Sequence, residues 1–219
     1  MSVPKATVYI DGFNLYYGAL RGKSDNLGKS YRWLDLYALC TKLLPGYDIT
    51  RVRYFTAIVK DRPNNPNQAQ RQLTYIRALE ASIPCLTVHR GQFLESQVYA
   101  RLVHPPPTSK LVHKSEEKGS DVNLGAFLLL DTFKEEYDVA AVISNDTDLL
   151  TPIEMVQTEF RKRILVFNPH KQPSPRMQSA VKSGDYRDIR VGWLVSSQLP
   201  NTLTDAVGTI TKPPSWDLP

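Results

Sequence analysis

Two short acidic stretches carry the residue types of hydrolytic metal chemistry. Asp11-Gly12-Phe13-Asn14 follows the apolar run Ala6 to Ile10, and Ser144-Asn145-Asp146-Thr147-Asp148 follows the apolar run Val139 to Ile143. A third acid, Asp121, comes directly after Lys118-Gly119-Ser120. A short β-branched run that is apolar throughout reads as a buried strand of a parallel sheet. In open parallel sheets, ligands bind at the carboxyl ends of strands. Carboxylates gathered at one such edge repel one another and need protons or a cation to coexist. Mg²⁺ or Mn²⁺, hard ions that take oxygen ligands, meet that need. Such an ion lowers the pKa of bound water and neutralises charge developing on phosphate oxygens, which suits phosphodiester hydrolysis. Each fragment alone has a plainer reading, since Asp and Asn after a strand also make turns and cap helices. Asp121 and Asn14 fit that plainer reading, and it is the conjunction of three fragments that is specific.

These residues need elements to position them. Val52 to Val59, Cys85 to His89 and Arg163 to Phe167 read as further strands, with Val98 to Val103 as a possible edge strand. Leu36 to Leu44 reads as a helix capped by Asp35 and stopped by Pro45-Gly46. Asn65-Pro66 opens another, whose apolar residues Ala69, Leu73, Ile76, Leu79 and Ile83 recur every three or four positions. Asp121 to Phe133 is a third helix and Met177 to Lys182 a short one. Thr151-Pro152-Ile153-Glu154 is a capping box that leaves Asp146 and Asp148 in the preceding loop. The run Thr108 to Lys118, after Pro105-Pro106-Pro107, reads as a long functional loop. Strand and helix alternating in this way imply an α/β fold with a parallel sheet covered on both faces. Residues 1–194 are expected to form the domain and 195–219 an extended tail packed on it, anchored by Trp216.

The 219-residue chain carries a net charge of +5. Its positive charge is segregated: Arg51 to Lys118 holds 11 Lys/Arg against 5 Asp/Glu, and Arg161 to Arg190 holds 8 against 2. Such stretches are either solvated surface or an electrostatic footprint for a nucleic-acid backbone. Cys40 and Cys85 are the only cysteines and no C-x-x-C occurs, which argues against a disulfide framework or a cysteine zinc site. The longest apolar run, Leu124 to Leu130, is too short to span a bilayer, and the N-terminus lacks a long apolar block. A soluble cytoplasmic protein is the expectation. Gly18-Ala19-Leu20-Arg21-Gly22-Lys23-Ser24 nearly matches a phosphate-binding P-loop, but has three residues between its glycines where four are needed. His89, His104, His113 and His170 share no ligand spacing. Of these only His113, beside Lys114 in the long loop, is placed to act.

The combination D-G-F-N after the first strand, K-G-x-D opening a central helix and S-N-D-T-D after a later strand resembles the NYN domain family of LabA-like, PIN-like nucleases. The resemblance extends from the first strand to about residue 190. It implies a PIN-like three-layer α/β/α sandwich with strand order 3-2-1-4-5. With Val139 to Ile143 as the fourth strand, Asp11 and Asp146 become neighbours. It further implies a metal-dependent ribonuclease using Mg²⁺ or Mn²⁺ and acting on RNA; the oligomeric state, monomer or homodimer, stays open. The family's acidic positions fall on Asp11, Asp121, Asp146 and Asp148 as metal ligands, Asp121 binding directly or through water. Its polar positions fall on Asn14, orienting Asp11 or a phosphate, on Lys118, pairing with the scissile phosphate, and on Ser144. Asn123 and Lys114 join Ser144 as substrate-binding candidates. Many relatives carry a second acid six residues after the first of the K-G-x-D helix, where this chain has Phe127. Two other readings therefore stay open: a PIN-like module that binds RNA or protein with weak or no catalysis, and a phosphohydrolase for small phosphate esters.

Overall fold

Strand β1 (Lys5–Asp11) is buried along all but its first residue and lies between two parallel neighbours, β2 (Asp48–Ala57) and β5 (Val139–Ile143). The structure, a computed structural model, describes residues 2–21, 31–104 and 109–217. Gly22 to Ser24 of the near P-loop and the proline triplet lie outside them.

Seven strands form the main sheet in the order β4-β3-β2-β1-β5-β6-β7. Besides the three above, these are β3 (Leu86–Arg101), β4 (Ser109–Lys118), β6 (Arg163–Asn168) and β7 (Tyr186–Asp188). Every pairing is parallel except β3 with β4. Alternation of side chains across a strand sends neighbouring residues to opposite faces. Ala6, Val8 and Ile10 accordingly pack with Leu36, Leu39 and Leu43 of α2 (Leu36–Leu43) and with Ile76 and Leu79 of α3 (Gln68–Ser82). Tyr9 packs on the other side with Phe55, with Leu124 and Leu128 of α4 (Ser120–Phe133), and with Ile153 and Val156 of α5 (Leu150–Thr158). Each of the Val, Leu, Ile and Phe side chains among them, fully buried, contributes roughly 1.5–3 kcal/mol. The result is the expected α/β/α sandwich. Among the described residues no helix is long and apolar enough to cross a membrane.

Several elements differ from expectation, each for a local reason. Of the stretch expected as a long loop, Thr108 lies outside the described residues and the rest is not a loop. From Ser109 it is strand β4, paired with the outer half of β3 from Gln92↔Lys118 to Arg101↔Ser109. The segments expected as Cys85 to His89 and Val98 to Val103 are therefore one continuous strand. Both faces of this ribbon are largely exposed, so no apolar periodicity marks it in the sequence. The extra strand makes Val139–Ile143 the fifth strand rather than the fourth, while the order β3-β2-β1-β5-β6 keeps the expected neighbours. The helix expected from Pro66 starts at Gln68, because Asn65 closes a turn with Arg62 and Asn67 adopts a left-handed φ of 58°. Its buried stripe runs through Tyr75, Ile76, Ala78 and Leu79, leaving Leu73 exposed. The capping box at Thr151 does not form. Asp146 caps a short 3₁₀ turn, Thr147–Leu149, and α5 grows directly out of it, so Thr151 lies inside the helix. The short helix expected at Met177, α6 (Pro175–Ser179), begins two residues earlier, behind the Ser174 cap. Beyond α7 (Val191–Val195) the chain is not simply extended, because β8 (Thr202–Asp205) and β9 (Gly208–Thr211) form a hairpin. Trp216 packs with ring centroids 6.1 Å from Trp33 and 6.0 Å from Tyr75.

Candidate metal centre

The register of β1 against β5 pairs Ile10 with Ile143. The chain therefore leaves both strands at one level of the sheet, with Asp11 on one and Ser144 to Asp146 on the other. Asp11 is buried, and its carboxylate caps the short helix α1 (Gly12–Leu15) by accepting from the Asn14 N–H at 2.9 Å. Its second oxygen accepts from Ser144 Oγ at 3.0 Å. Ser144 Oγ in turn accepts from the Asp146 N–H at 3.1 Å, and Asp146 accepts from the Asp148 N–H at 3.0 Å. One hydroxyl thus aligns both acids. Gly12 allows the tight exit: a Cβ there would lie 2.7 Å from the Phe55 carbonyl oxygen and 2.8 Å from the Tyr54 ring. On α4, entered through Gly119 at a φ of +96°, Asp121 sits in the first turn. Carboxylate oxygens of Asp11, Asp121 and Asp146 all lie within 4.8 Å of one another.

Electrostatics set these acids apart from the other buried acids. Asp131 accepts from Arg53 Nε at 2.7 Å and from Tyr9 OH at 2.7 Å, and Asp185 pairs with Arg163. Among the described residues no Lys or Arg forms an ion pair with Asp11, Asp121, Asp146 or Asp148. Burial, reinforced by the charges of Asp121 and Asp146, pushes the Asp11 carboxyl up to about 6 against the opposing hydrogen bonds from Asn14 and Ser144. Burial likewise pushes Asp121 up to about 6, with Asp146, Glu117 and Asp148 adding repulsion. A donor set of hard oxygens, converging and without cationic partners, fits a divalent ion of the Mg²⁺ or Mn²⁺ type.

The remaining expected residues are divided. Asp148 is exposed and outside the trio; it lines, with Asp121, a cleft of about 460 Å³ between α4 and α5 whose walls include Glu117, Gly125, Leu129 and Pro152. Ser144, expected against substrate, is fully buried, and its hydroxyl is committed to Asp11 and Asp146. Its role is positional. The Asn14 side-chain oxygen accepts from the Asn145 N–H at 2.9 Å and lies 3.0 Å from His170 Nε2, so it ties the β1 exit to the β5 exit. Lys118 lines the cleft, with its ammonium 3.6 Å from Glu116. Lys114 sits on the ribbon, also paired with Glu116, and Asn123 is half-buried two residues beyond Asp121. Phe127, in the place of the relatives' second acid, packs on Phe55 and His89 under the Arg53 guanidinium, 4.5 Å from its ring. Sequence reasoning missed three contributors. Glu117 caps α4 by accepting from the Ser120 N–H and hydroxyl, and adds negative charge at Asp121. Asn145 pins the loop through Ser174 and Tyr186, and His170 meets Asn14. Asn145 lies within the S-N-D-T-D motif but its type assigned it no role, and His170 comes from a part of the chain with no spacing signal relative to Asp11.

The chain matches the family model described as NYN domain over residues 5–184. The protein belongs to the NYN domain family. The family is one of PIN-like nucleases, which generally use divalent metals, and the acidic trio is a cluster that could hold one. Over 97% of its length this NYN chain is 29% identical to 6-hydroxy-3-succinoylpyridine 3-monooxygenase HspA of Pseudomonas putida, of which it covers 75%. It also resembles the crystal structure of a protein of unknown function from Vibrio parahaemolyticus, with a TM-score of 0.50 at 17% identity, covering 86% of this chain and 94% of that one. The second likeness is one of fold alone.

Proposed function

We propose that this NYN protein hydrolyses RNA phosphodiester bonds with a bound Mg²⁺ or Mn²⁺. The observation that carries the reading is the convergence of Asp11, Asp121 and Asp146 from three separate elements to within 4.8 Å, with no cationic partner among the described residues. These three would hold the ion, and Asp148, on the rim of the cleft, would reach it through water. When bound, the ion lowers the pKa of a coordinated water and neutralises charge on the phosphate. Ser144 and the Asn14 N–H hold the Asp11 carboxylate in its rotamer, so that its oxygens need not reorganise on binding. Asn14 locks the two strand exits together. Lys118, which lines the cleft, would meet a phosphate oxygen once it releases Glu116. Lys114, Asn123 and the basic stretches 51–118 and 161–190 would hold the nucleic-acid backbone.

The test is cleavage of labelled RNAs by wild type and Asp146→Asn, with Mg²⁺, Mn²⁺ or chelator. Cleavage by wild type that needs the metal and is lost in Asp146→Asn, with RNA binding retained, supports the proposal. RNA binding without cleavage under either metal supports a PIN-like binding module instead, the reading that Phe127 in place of an acid favours.

The Pseudomonas relative favours a second reading, in which the same pocket serves hydroxylation of a small heteroaromatic ring. Consumption of 6-hydroxy-3-succinoylpyridine dependent on O₂ and a reductant, with no RNA cleaved, would establish it over the first.

A further inference from the structure

Immediately beyond Asp11 lies a group of aromatic rings that belongs to neither hydrophobic core. Phe13 and Tyr17 are four residues apart along the helical segment that leaves β1, and their rings stack with an interplanar angle of 22° and centroids 6.4 Å apart. Arg21, four residues further, places its guanidinium 5.2 Å from the Tyr17 ring centroid. From the ribbon, Phe93 meets Phe13 edge-on, with centroids 5.7 Å apart at 89°. Neither core cluster includes Phe13, Tyr17 or Phe93, whereas the adjacent Tyr16 does pack on the core. Tyr17 is 48% exposed, and Phe13 and Phe93 are half-buried. Tyr17 touches the core only through the edge of Tyr16, 5.3 Å away between centroids, and rings gathered at the surface in this way offer π-faces to a ligand.

Their order along the chain is informative. The acidic trio begins at Asp11, the ring ladder follows at Phe13 and Tyr17, and a guanidinium closes it at Arg21. In RNA the base hangs from the ribose that joins two successive phosphates, so one nucleotide can set a phosphate at the trio, its base on the rings and the next phosphate at Arg21. We propose that Phe13, Tyr17 and Phe93 form a seat for the nucleobase attached to the phosphate that meets the acidic trio, with Arg21 taking the next phosphate. This rests on the hydrolase reading and adds to it three ring-binding positions and one phosphate position. Stacking on aromatic faces tolerates any base but requires that base to be unpaired. The ribbon has a part in the seat, since Phe93 enters from β3 just past Gly91, where that strand leaves the parallel sheet.

The experiment separates the ring seat from the metal site. Adenosine and ribose are titrated in chelator by ligand-observed NMR, and AMP is titrated with Mn²⁺. The proteins are wild type, Tyr17→Ala, Tyr17→Phe, Phe93→Ala and Asp146→Asn, each checked for folding by circular dichroism. The seat requires adenosine to bind in chelator where ribose does not. Tyr17→Ala and Phe93→Ala should each weaken it by about fivefold or more, the range of one base–aromatic contact, and Tyr17→Phe should retain it. Asp146→Asn should keep adenosine binding and lose only the Mn²⁺-dependent gain with AMP, so that failure of the metal reading and failure of the seat show in different titrations. Equal binding of adenosine and ribose, or adenosine binding indifferent to Tyr17 and Phe93, overturns the proposal. Nicotinate bound through Tyr17 in place of adenosine overturns the nucleobase assignment.

Discussion

Replacing Asp11 with Asn should stabilise the metal-free protein while destroying its response to metal. Moving the Asp11 carboxyl from its ordinary 3.8 to about 6 means that its ionised form costs the folded state about 3 kcal/mol, at 1.36 kcal/mol per pH unit. The cause is burial at 4% exposure beside two further carboxylates. An amide carries no charge to desolvate. Its oxygen can still accept from the Asn14 N–H, and the Ser144 hydroxyl can turn to accept from the new NH₂. The weaker neutral hydrogen bonds take back about 1 kcal/mol. The net gain is about 2 kcal/mol, or about 4–8 °C in Tm for a chain of this size. The sign depends on pH. A folded-state pKa above the unfolded one makes the folded protein bind the proton more tightly. Its contribution to stability is therefore fully present below about pH 4, is lost as pH rises through about 6, and stays lost above. The variant's advantage should be largest at about pH 8 and vanish near pH 4. Urea unfolding and thermal melts in chelator at several pH values measure it. Saturating Mn²⁺ should raise the Tm of wild type and not of Asp11→Asn, since an ion that binds only the folded state stabilises by mass action. If Asp11→Asn is no more stable than wild type at about pH 8 in chelator, or if Mn²⁺ still raises its Tm, the argument that uncompensated charge builds this site fails.

Two further predictions concern the frame that positions the site. Gly12→Ala should cost about 2 kcal/mol in urea unfolding, because the added Cβ meets the Phe55 carbonyl oxygen at 2.7 Å, a backbone atom held in the sheet. A variant as stable as wild type would show that the β1 exit has room to relax. Trp216→Ala should cost about 3–5 kcal/mol, the range for removing a large buried ring, and should change the environment of Trp33, which intrinsic fluorescence reports.

The acids themselves were legible in the chain. A mostly apolar, β-branched run followed by D-G-F-N, and an all-apolar run followed by S-N-D-T-D, identify two strand exits, because parallel strands buried on both faces leave little room for polar residues until they end. The adjacency of β1 and β5 followed from the resemblance rather than from local pattern, and the sheet order bears it out. Other features carried no local signal. The β3–β4 ribbon packs neither face fully on a core, so apolar residues such as Leu94, Tyr99, Leu111 and Val112 are exposed and follow no one-face pattern, and the stretch Thr108 to Lys118 reads as a loop. The Thr151 box was outcompeted by Asp146, a free carboxylate already at the right height to cap the preceding turn. Tertiary structure alone decided that Asp121 joins Asp11 and Asp146 while Asp148 lies to the side, that Ser144 is an internal strut, and that His170 and Asn145 meet Asn14 across more than a hundred residues of chain. Residue type and spacing along one strand or helix fix what a segment can do. Which distant segment it does it with depends on how the layers pack, and that information is spread over the whole core.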